Sequence, residues 1–152
     1  MEEIIVQACN HLFEIQPNLF LEEFDINERT ISGELSKLLA PEFGDYHVNC
    51  EYNRMTDEFG NQIPKRIHLN PNAENPSLVY PDIIVHKQEN KNHNLLIIEI
   101  KMSWKNGRKE DDFVKLKRYM EELGYEKGLY LELGENIIEE MKWFEKEKNT
   151  KA

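Results

Sequence analysis

The segment VYPDIIVHKQENKNHNLLIIEIKMSWKN, Val79–Asn106, decides the fold prediction because it sets charged side chains inside two of the most apolar runs of the chain. Asp82 lies near the start of the first run, and Glu99 and Lys101 lie in the second. Burying a charge is costly unless something compensates it. A compensating partner is therefore expected at these three residues.

The two apolar runs, Tyr80–His86 and Asn94–Met102, are separated by the polar sequence KQENKNH. Two apolar runs joined by a short polar stretch predict a β-hairpin. The midpoint of the polar stretch places the turn between Asn90 and Lys91. This turn position fixes which residues of the two strands face each other.

With that register, Asp82 lies opposite Glu99 and Ile84 lies opposite Ile97. Side chains alternate along a strand, so Glu99 and Lys101 share one face. Directly opposed like charges destabilise a strand pair. A divalent cation between the two carboxylates would remove this conflict, and Mg²⁺ favours such oxygen ligands. Lys101 would reach the same position as a compact positive charge.

A structural alternative exists for the same residues. Asp82 could simply begin a strand after Pro81, and Glu99 and Lys101 could line a solvated sheet face. Against this alternative, the run NLLIIEIKM is too apolar for a strand with one solvated side, because Leu95 and Ile97 are the neighbours of Glu99 on its face.

The rest of the chain predicts a mixed sheet flanked by helices. Apolar periodicity, caps and turn residues indicate these elements in order: a helix over 2–15, a helix NERTISGELSKLL capped by Asn27, a strand in DYHVNCEYNR, a polar excursion over 55–77 with a short strand at KRIHL, the hairpin, a helix from about Lys109 to Leu123, a strand KGLYLEL and a terminal helix Glu135–Lys148. The helix that joins the third and fourth strands implies that those strands are parallel.

Composition favours one α/β domain over residues 1–152, with a core at about 27–133. The formal net charge of −10 argues against indiscriminate nucleic-acid binding. Residues 87–118 reverse this sign, with nine Lys or Arg against five Asp or Glu, and they flank the charged strands. No apolar run is long enough to span a bilayer and the N-terminus is acidic, so a cytoplasmic protein without a membrane partner is expected.

Pro81-Asp82 followed by Glu99-Ile100-Lys101, together with the element order, resembles the PD-(D/E)XK nuclease superfamily with its restriction-endonuclease-like fold, an αβββαβ core. The resemblance covers roughly Asn27 to Leu133. It implies that Asp82 and Glu99 bind Mg²⁺, or Mn²⁺ in its place, with the carbonyl of Ile100 as a further ligand. It also implies that Lys101 orients the attacking water.

A glutamate on the first core helix often completes the site in that superfamily. Glu28 lies near the apolar direction of the helix and Glu34 at its edge, so Glu28 is the first candidate and Glu34 the second. The stretch NERTISGEL is also similar to the first helix of Holliday-junction resolvases. For both residues the alternative is a solvated acid favoured by the helix dipole.

Two further motifs remain open. Lys115 and Tyr119 share one helix face, which is similar to the Q-x-x-x-Y element of RecB-like nucleases except that Lys115 replaces the glutamine. Glu51, next to Cys50, either approaches the site or faces solvent.

The chain is therefore expected to be a Mg²⁺-dependent nuclease. DNA is its first candidate substrate. Phosphate contacts are expected from six basic residues, which are Lys105, Arg108, Lys109, Lys115, Lys65 and Arg66. One alternative is a catalytically inactive nuclease-fold module that binds nucleic acid or protein. Another is a subunit whose DNA contacts come from a protein partner or from a second copy in a homodimer.

Overall fold

One mixed five-stranded sheet, covered by helices on both faces, organises the protein. The structure is a computed structural model that describes residues 1–52, 54–56, 59, 61–69, 74–88 and 90–146. The helices are α1 (Glu2–Ile15), α2 (Glu28–Leu39) and α3 (Lys109–Leu123), and the strands are β1 (His47–Cys50), β2 (Arg54–Thr56), β3 (Gln62–Pro64), β4 (Arg66–Ile67), β5 (Ser77–Leu78), β6 (Ile83–Lys87), β7 (Asn90–Met102), β8 (Lys127–Gly134) and β9 (Ile137–Glu145).

The sheet has the strand order β1-β6-β7-β8-β9. β7 and β8 are parallel, as the crossover through α3 predicts, and the other neighbours are antiparallel. Helices α1 and α2 pack on one face against Ile83, Val85 and Ile98, among others. Helix α3 packs on the other face, against Ile84, Ile97 and Tyr130. The predicted α/β architecture is confirmed.

The helix boundaries follow from local chemistry. Asn27 caps α2, and its Oδ1 accepts a hydrogen bond of 2.8 Å from the backbone N–H of Arg29. Helix α3 ends at Gly124, which adopts the left-handed conformation (φ 75°) that glycine takes without steric cost. The caps therefore fix where both helices begin or end beside the sheet.

The predicted hairpin register is confirmed, although the turn lies elsewhere. Ile84 pairs with Ile97, which is the register that sets residue 82 opposite residue 99. However, Lys87 pairs with Asn90, so the connection is shorter than expected and lies before Asn90. Two register shifts, at Val85–His86 and at His86–Lys87, lie between this connection and the rest of the hairpin. Beyond them, the strands pair in the predicted register.

The terminal helix predicted over Glu135–Lys148 is wrong, because Ile137–Glu145 is strand β9. It pairs with β8 through a two-residue turn in which Asn136 has a left-handed φ of 57°, a conformation that asparagine tolerates. Trp143 packs towards α1 and α2, and Phe144 packs towards α3. Successive side chains on opposite faces require an extended strand. Residues 147 and 148 lie outside the described residues.

The polar excursion carries two small ribbons, in which β2 pairs with β3 and β4 pairs with β5. The short strand expected at KRIHL is present as β4 (Arg66–Ile67). Ile67 is buried against the α3 side of the sheet, so part of the excursion closes that face of the core. Among the described residues, none of the helices is long and apolar enough to cross a membrane.

Candidate functional site

Asp82 lies in a bend just before β6, where its position is fixed from two sides. The backbone N–H of Glu51 donates to the carbonyls of Pro81 (2.8 Å) and Asp82 (3.2 Å). The carboxylate of Asp82 accepts a hydrogen bond of 2.8 Å from the N–H of Ile100 on β7. These contacts hold the Asp82 carboxylate against the strand that carries Glu99.

Glu51 itself takes a structural position. It has a left-handed φ of 51°, and its carboxylate pairs with Nε of Arg29 at 2.9 Å. The side chain therefore joins the start of α2 to the end of β1, and the backbone supports Pro81-Asp82. The Glu51 side chain is thus directed towards Arg29 of α2.

Glu99 is buried on the α3 face of the sheet, with only 4% of its surface exposed. Among the described residues, its Oε1 has no hydrogen-bond partner. Burial, and then the negative charge of Asp82, raise the pKa of Glu99 well above the usual value of a glutamate. An orphaned buried carboxylate oxygen beside a second carboxylate is an arrangement that a bound cation would stabilise.

Glu28, the first residue of α2, lies at the same end of the sheet. Burial, and then the charge of Asp82, raise the pKa of Glu28. Glu34 lies elsewhere, since its carboxylate binds Nε2 of Gln16 (3.0 Å) and Nζ of Lys37 (3.1 Å). The structure thus brings Glu28, rather than Glu34, into electrostatic contact with Asp82.

Lys101 follows Glu99 on the same face of β7, and its side chain is 14% exposed. Its Nζ lies 3.9 Å from Oδ2 of Asp112 on α3. Gly107, with φ 138°, passes directly over this ammonium group, so a Cβ at that position would lie 2.9 Å from Nζ. A glycine is needed there both for the backbone conformation and for the close approach.

Asp112 is a site residue that the sequence reading missed. Burial, opposed by the charges of Lys101 and Lys115, raises its pKa. The helical spacing that places Lys115 and Tyr119 on one face also places Asp112 there, one turn towards the N-terminus of α3.

Lys115 and Tyr119 both reach Glu99. The Nζ of Lys115 lies 3.6 Å from Oε1 of Glu99 and 5.8 Å from the centre of the Tyr119 ring. Tyr119 is fully buried, and burial followed by the charge of Glu99 raises the pKa of its hydroxyl. The side of the site that faces α3 therefore combines a positive charge and a phenol.

Three of the lysines expected to contact phosphate are already paired with carboxylates of the chain itself. Lys105 lies 2.7 Å from Asp25, Lys109 lies 3.2 Å from Glu140, and Lys115 pairs with Glu99. Arg66 and Arg108 are exposed. A phosphate group approaching this rim would have to displace internal ion pairs, which reduces the net electrostatic gain of binding.

Lys65 is not at the surface, which corrects its expected phosphate contact. Only 2% of the residue is exposed, and its Nζ donates to the hydroxyl of Tyr125 at 3.0 Å. The ammonium group also lies 5.5 Å from the ring centres of Tyr52 and Tyr125. Its burial among aromatic side chains gives Lys65 a packing role on the α3 side of the sheet.

This burial predicts a pH-dependent stability. Desolvation lowers the pKa of Lys65 from 10.5 to about 8. Between these values the unfolded chain binds more protons than the folded one, so the contribution of Lys65 to stability rises with pH. We expect wild type to gain about 1.5 kcal/mol relative to Lys65→Met between pH 8 and 9.5. Equilibrium urea unfolding of both proteins measures this difference.

Lys37→Met serves as the control for this experiment, because the Lys37 side chain is 73% exposed. Its difference from wild type is expected to stay constant over the same pH range. Work above pH 10 is avoided, since buried tyrosines such as Tyr125 then contribute in the opposite direction. A constant difference between wild type and Lys65→Met would contradict the prediction.

The donors at the site suit a hard cation. Asp82, just before β6, and Glu99, on the adjacent strand β7, offer two carboxylates. Mg²⁺ is often bound through one or two carboxylates with water completing its shell. The orphaned Oε1 of Glu99 supports this fit. Within the described part of the chain, no group of three or more His, Cys, Asp or Glu side chains is arranged to hold one metal ion. The fit thus rests on a carboxylate pair.

Comparison of the chain with protein-family models gives no match, and comparisons with curated proteins and with solved structures give none either. The site residues and their geometry are therefore what bears on function.

Proposed function

We propose that this chain is a divalent-cation-dependent phosphodiester hydrolase that acts on nucleic acid. DNA is the first candidate substrate. Its sheet and helices would then correspond to the restriction-endonuclease-like core of the PD-(D/E)XK nucleases. Asp82 and Glu99 would hold Mg²⁺ or Mn²⁺, with the carbonyl of Ile100 as a further ligand, and Glu28 would support the cation from α2.

The observation that carries the proposal is the pair formed by the buried Glu99 and the half-buried Asp82. Glu99 buries a carboxylate oxygen that has no hydrogen-bond partner within the described part of the chain, beside a second carboxylate and with the Lys115 ammonium 3.6 Å away. Such an arrangement is costly unless further positive charge compensates it. A cation supplied from solution would compensate both charges. Lys101 on the same face adds a positive group that would stabilise the negative charge developing on phosphate near such an ion.

The reaction would divide among these residues as follows. A bound divalent cation lowers the pKa of a coordinated water and offsets the charge that develops on phosphate. Asp82 and Glu99 would hold the cation. The N–H of Ile100 fixes the Asp82 carboxylate, and burial confines that of Glu99. Lys101 holds a water or a phosphate oxygen by a charge-assisted hydrogen bond from its ammonium group.

A second candidate is a subunit that requires a partner. The rim lysines are engaged by internal carboxylates, and the chain carries a net charge of −10. Both observations favour weak affinity of the isolated chain for DNA. A partner chain with a basic surface, or a second copy of this chain, would then deliver the substrate. The inactive binding module is less favoured, because binding alone does not require a buried glutamate beside a second carboxylate.

Cleavage of linear, single-stranded and branched DNA tests the proposal, with each substrate assayed in Mg²⁺, in Mn²⁺ and in EDTA. We expect cutting that requires the metal and that falls by on the order of 10³-fold in Glu99→Gln, since losing a cation costs several kcal/mol of transition-state stabilisation. Glu145→Gln, at an exposed strand position, is the matched control and should cut like wild type.

The outcomes separate the candidates. Metal-dependent cutting lost in Glu99→Gln and kept in Glu145→Gln supports the hydrolase. If wild type and Glu99→Gln give the same background with both metals, the isolated chain is not this enzyme. Activity that appears only after addition of a partner fraction would favour the subunit.

A further inference from the structure

Lys115 occupies a position that a cation bound to Glu99 would need. Its Nζ lies 3.6 Å from Oε1 of Glu99, the oxygen that has no hydrogen-bond partner among the described residues. At that distance the two groups form an ion pair but no hydrogen bond. The Lys115 ammonium is thus the counter-charge of the carboxylate in the metal-free protein.

Lys115 is also free to leave this position. Its side chain is 34% exposed, whereas that of Glu99 is 6% exposed, so the lysine reaches inwards from solvent to a fixed acid. Lysine carries its charge on a flexible stem with several rotatable bonds. Moving the ammonium outwards therefore requires rotamer changes rather than movement of α3.

Asp112 provides a second partner for the displaced ammonium. It lies three residues earlier on α3, a spacing at which side chains of opposite charge meet on the helix surface. The charge of Lys115 already acts on the Asp112 carboxylate, which is half-buried. Lys115 can therefore exchange Glu99 for Asp112 without becoming an unpaired charge.

We infer that Lys115 sets the divalent-cation affinity of the site by neutralising Glu99 in the metal-free protein and moving towards Asp112 when the cation binds. This inference rests on the proposed cation site. This role differs from phosphate binding, because Lys115 neutralises Glu99 before any substrate is present.

The physical reason is competition between like charges. An ammonium group and a divalent cation cannot both lie within a few ångströms of the same carboxylate oxygen without strong repulsion. Cation binding must therefore break the Lys115–Glu99 pair, and that cost lowers the observed affinity. Removing the lysine charge removes the cost.

Mn²⁺ binding without DNA tests this inference, measured by electron paramagnetic resonance of free Mn²⁺ and by calorimetry. We expect Lys115→Met to bind Mn²⁺ about tenfold more tightly than wild type. Lys115→Gln is measured beside it, because its amide stays compatible with the buried carboxylate if the apolar variant folds poorly. Lys117→Met, an exposed lysine on the same helix, is the control and should match wild type.

The results decide between roles. Tighter binding in both Lys115 variants and unchanged binding in Lys117→Met supports the inference. Equal or weaker Mn²⁺ binding in the Lys115 variants overturns it, and a raised KM for DNA in the same variants would assign Lys115 to phosphate instead. If wild type itself binds no Mn²⁺, the proposed cation site fails together with this inference, which is a separate and recognisable outcome.

Discussion

Glu99→Gln is expected to raise the stability of the metal-free protein at neutral pH, although it removes the proposed activity. Glu99 is buried beside Asp82, and both its burial and that neighbour disfavour its charged form. Glutamine has nearly the same shape and no charge. We expect a gain of about 2–3 kcal/mol in the free energy of unfolding, which corresponds to roughly 4–12 °C in melting temperature for a chain of this size.

The pH dependence follows from the raised pKa. Between the usual pKa of a glutamate and the raised pKa of folded Glu99, the folded state binds more protons than the unfolded state. The stability contributed by protonated Glu99 is therefore fully present below the lower value and is lost as pH rises through this window. The advantage of Glu99→Gln should be small at acidic pH and largest above the raised pKa.

Thermal unfolding in EDTA over a range of pH measures this difference, with Glu145→Gln as an exposed control. Mg²⁺ should then raise the melting temperature of wild type and leave Glu99→Gln unchanged, because only a state that binds the ion gains stability from it. A variant that is less stable than wild type in EDTA at neutral pH would contradict this prediction, because the Lys115–Glu99 ion pair would then outweigh the cost of burying the Glu99 charge.

Much of the site was predictable because strand alternation is a strict rule. Glu99 and Lys101 had to share a face, and Ile84 had to oppose Ile97 once one register was chosen. The predicted turn position was wrong, but the predicted register was correct. The two agree because register shifts between Val85 and Lys87 offset the shorter connection. Bulges of this kind leave little trace in sequence, so the agreement owed something to chance.

The terminal strand was not predictable from local preference. Glu, Lys and Met in the stretch IIEEMKWFE favour a helix, and Ile137, Ile138 and Met141 also fit a helical stripe. Tertiary pairing with β8 overrides this preference. Asn136 gave the one local signal, since Gly-Glu-Asn before β-branched residues is compatible with a tight hairpin.

Burial of polar side chains was the hardest feature to read. Lys65 stands in a polar segment, and the sequence gave no sign that Tyr52 and Tyr125 would enclose it from distant elements. Asp112 was similarly hidden among the acids at the start of α3, which helix-dipole reasoning alone explains. Only the packing of α3 on β7 separates Asp112 from its exposed neighbour Asp111.

Lys101→Met is expected to reduce the turnover number of the proposed cleavage by roughly 10²–10³-fold, the usual effect of removing one group that stabilises transition-state charge. Mn²⁺ binding in the absence of DNA should not weaken, because the variant keeps both carboxylates of the Asp82–Glu99 pair. Loss of turnover with retained ion binding would separate the role of Lys101 from that of the metal ligands.

Gly107→Ala tests the same role without changing Lys101. Its Cβ would lie 2.9 Å from Nζ, and alanine is strained at a φ of 138°. The flexible ammonium group is expected to move away, so the turnover number should fall in the same direction while Mn²⁺ binding stays intact. Gly44→Ala is the control, since Gly44 also has a positive φ (57°) and nothing within 4 Å would meet its Cβ.

Single-turnover cleavage with each variant distinguishes turnover from substrate affinity. If the ammonium of Lys101 acts on water or phosphate, Lys101→Met and Gly107→Ala must both slow the chemical step, and the double variant must be no slower than Lys101→Met, because the two changes remove one interaction. Near-wild-type rates in Lys101→Met would assign the lysine to charge balance with Asp112 alone, since that ion pair (3.9 Å) would then be its whole contribution.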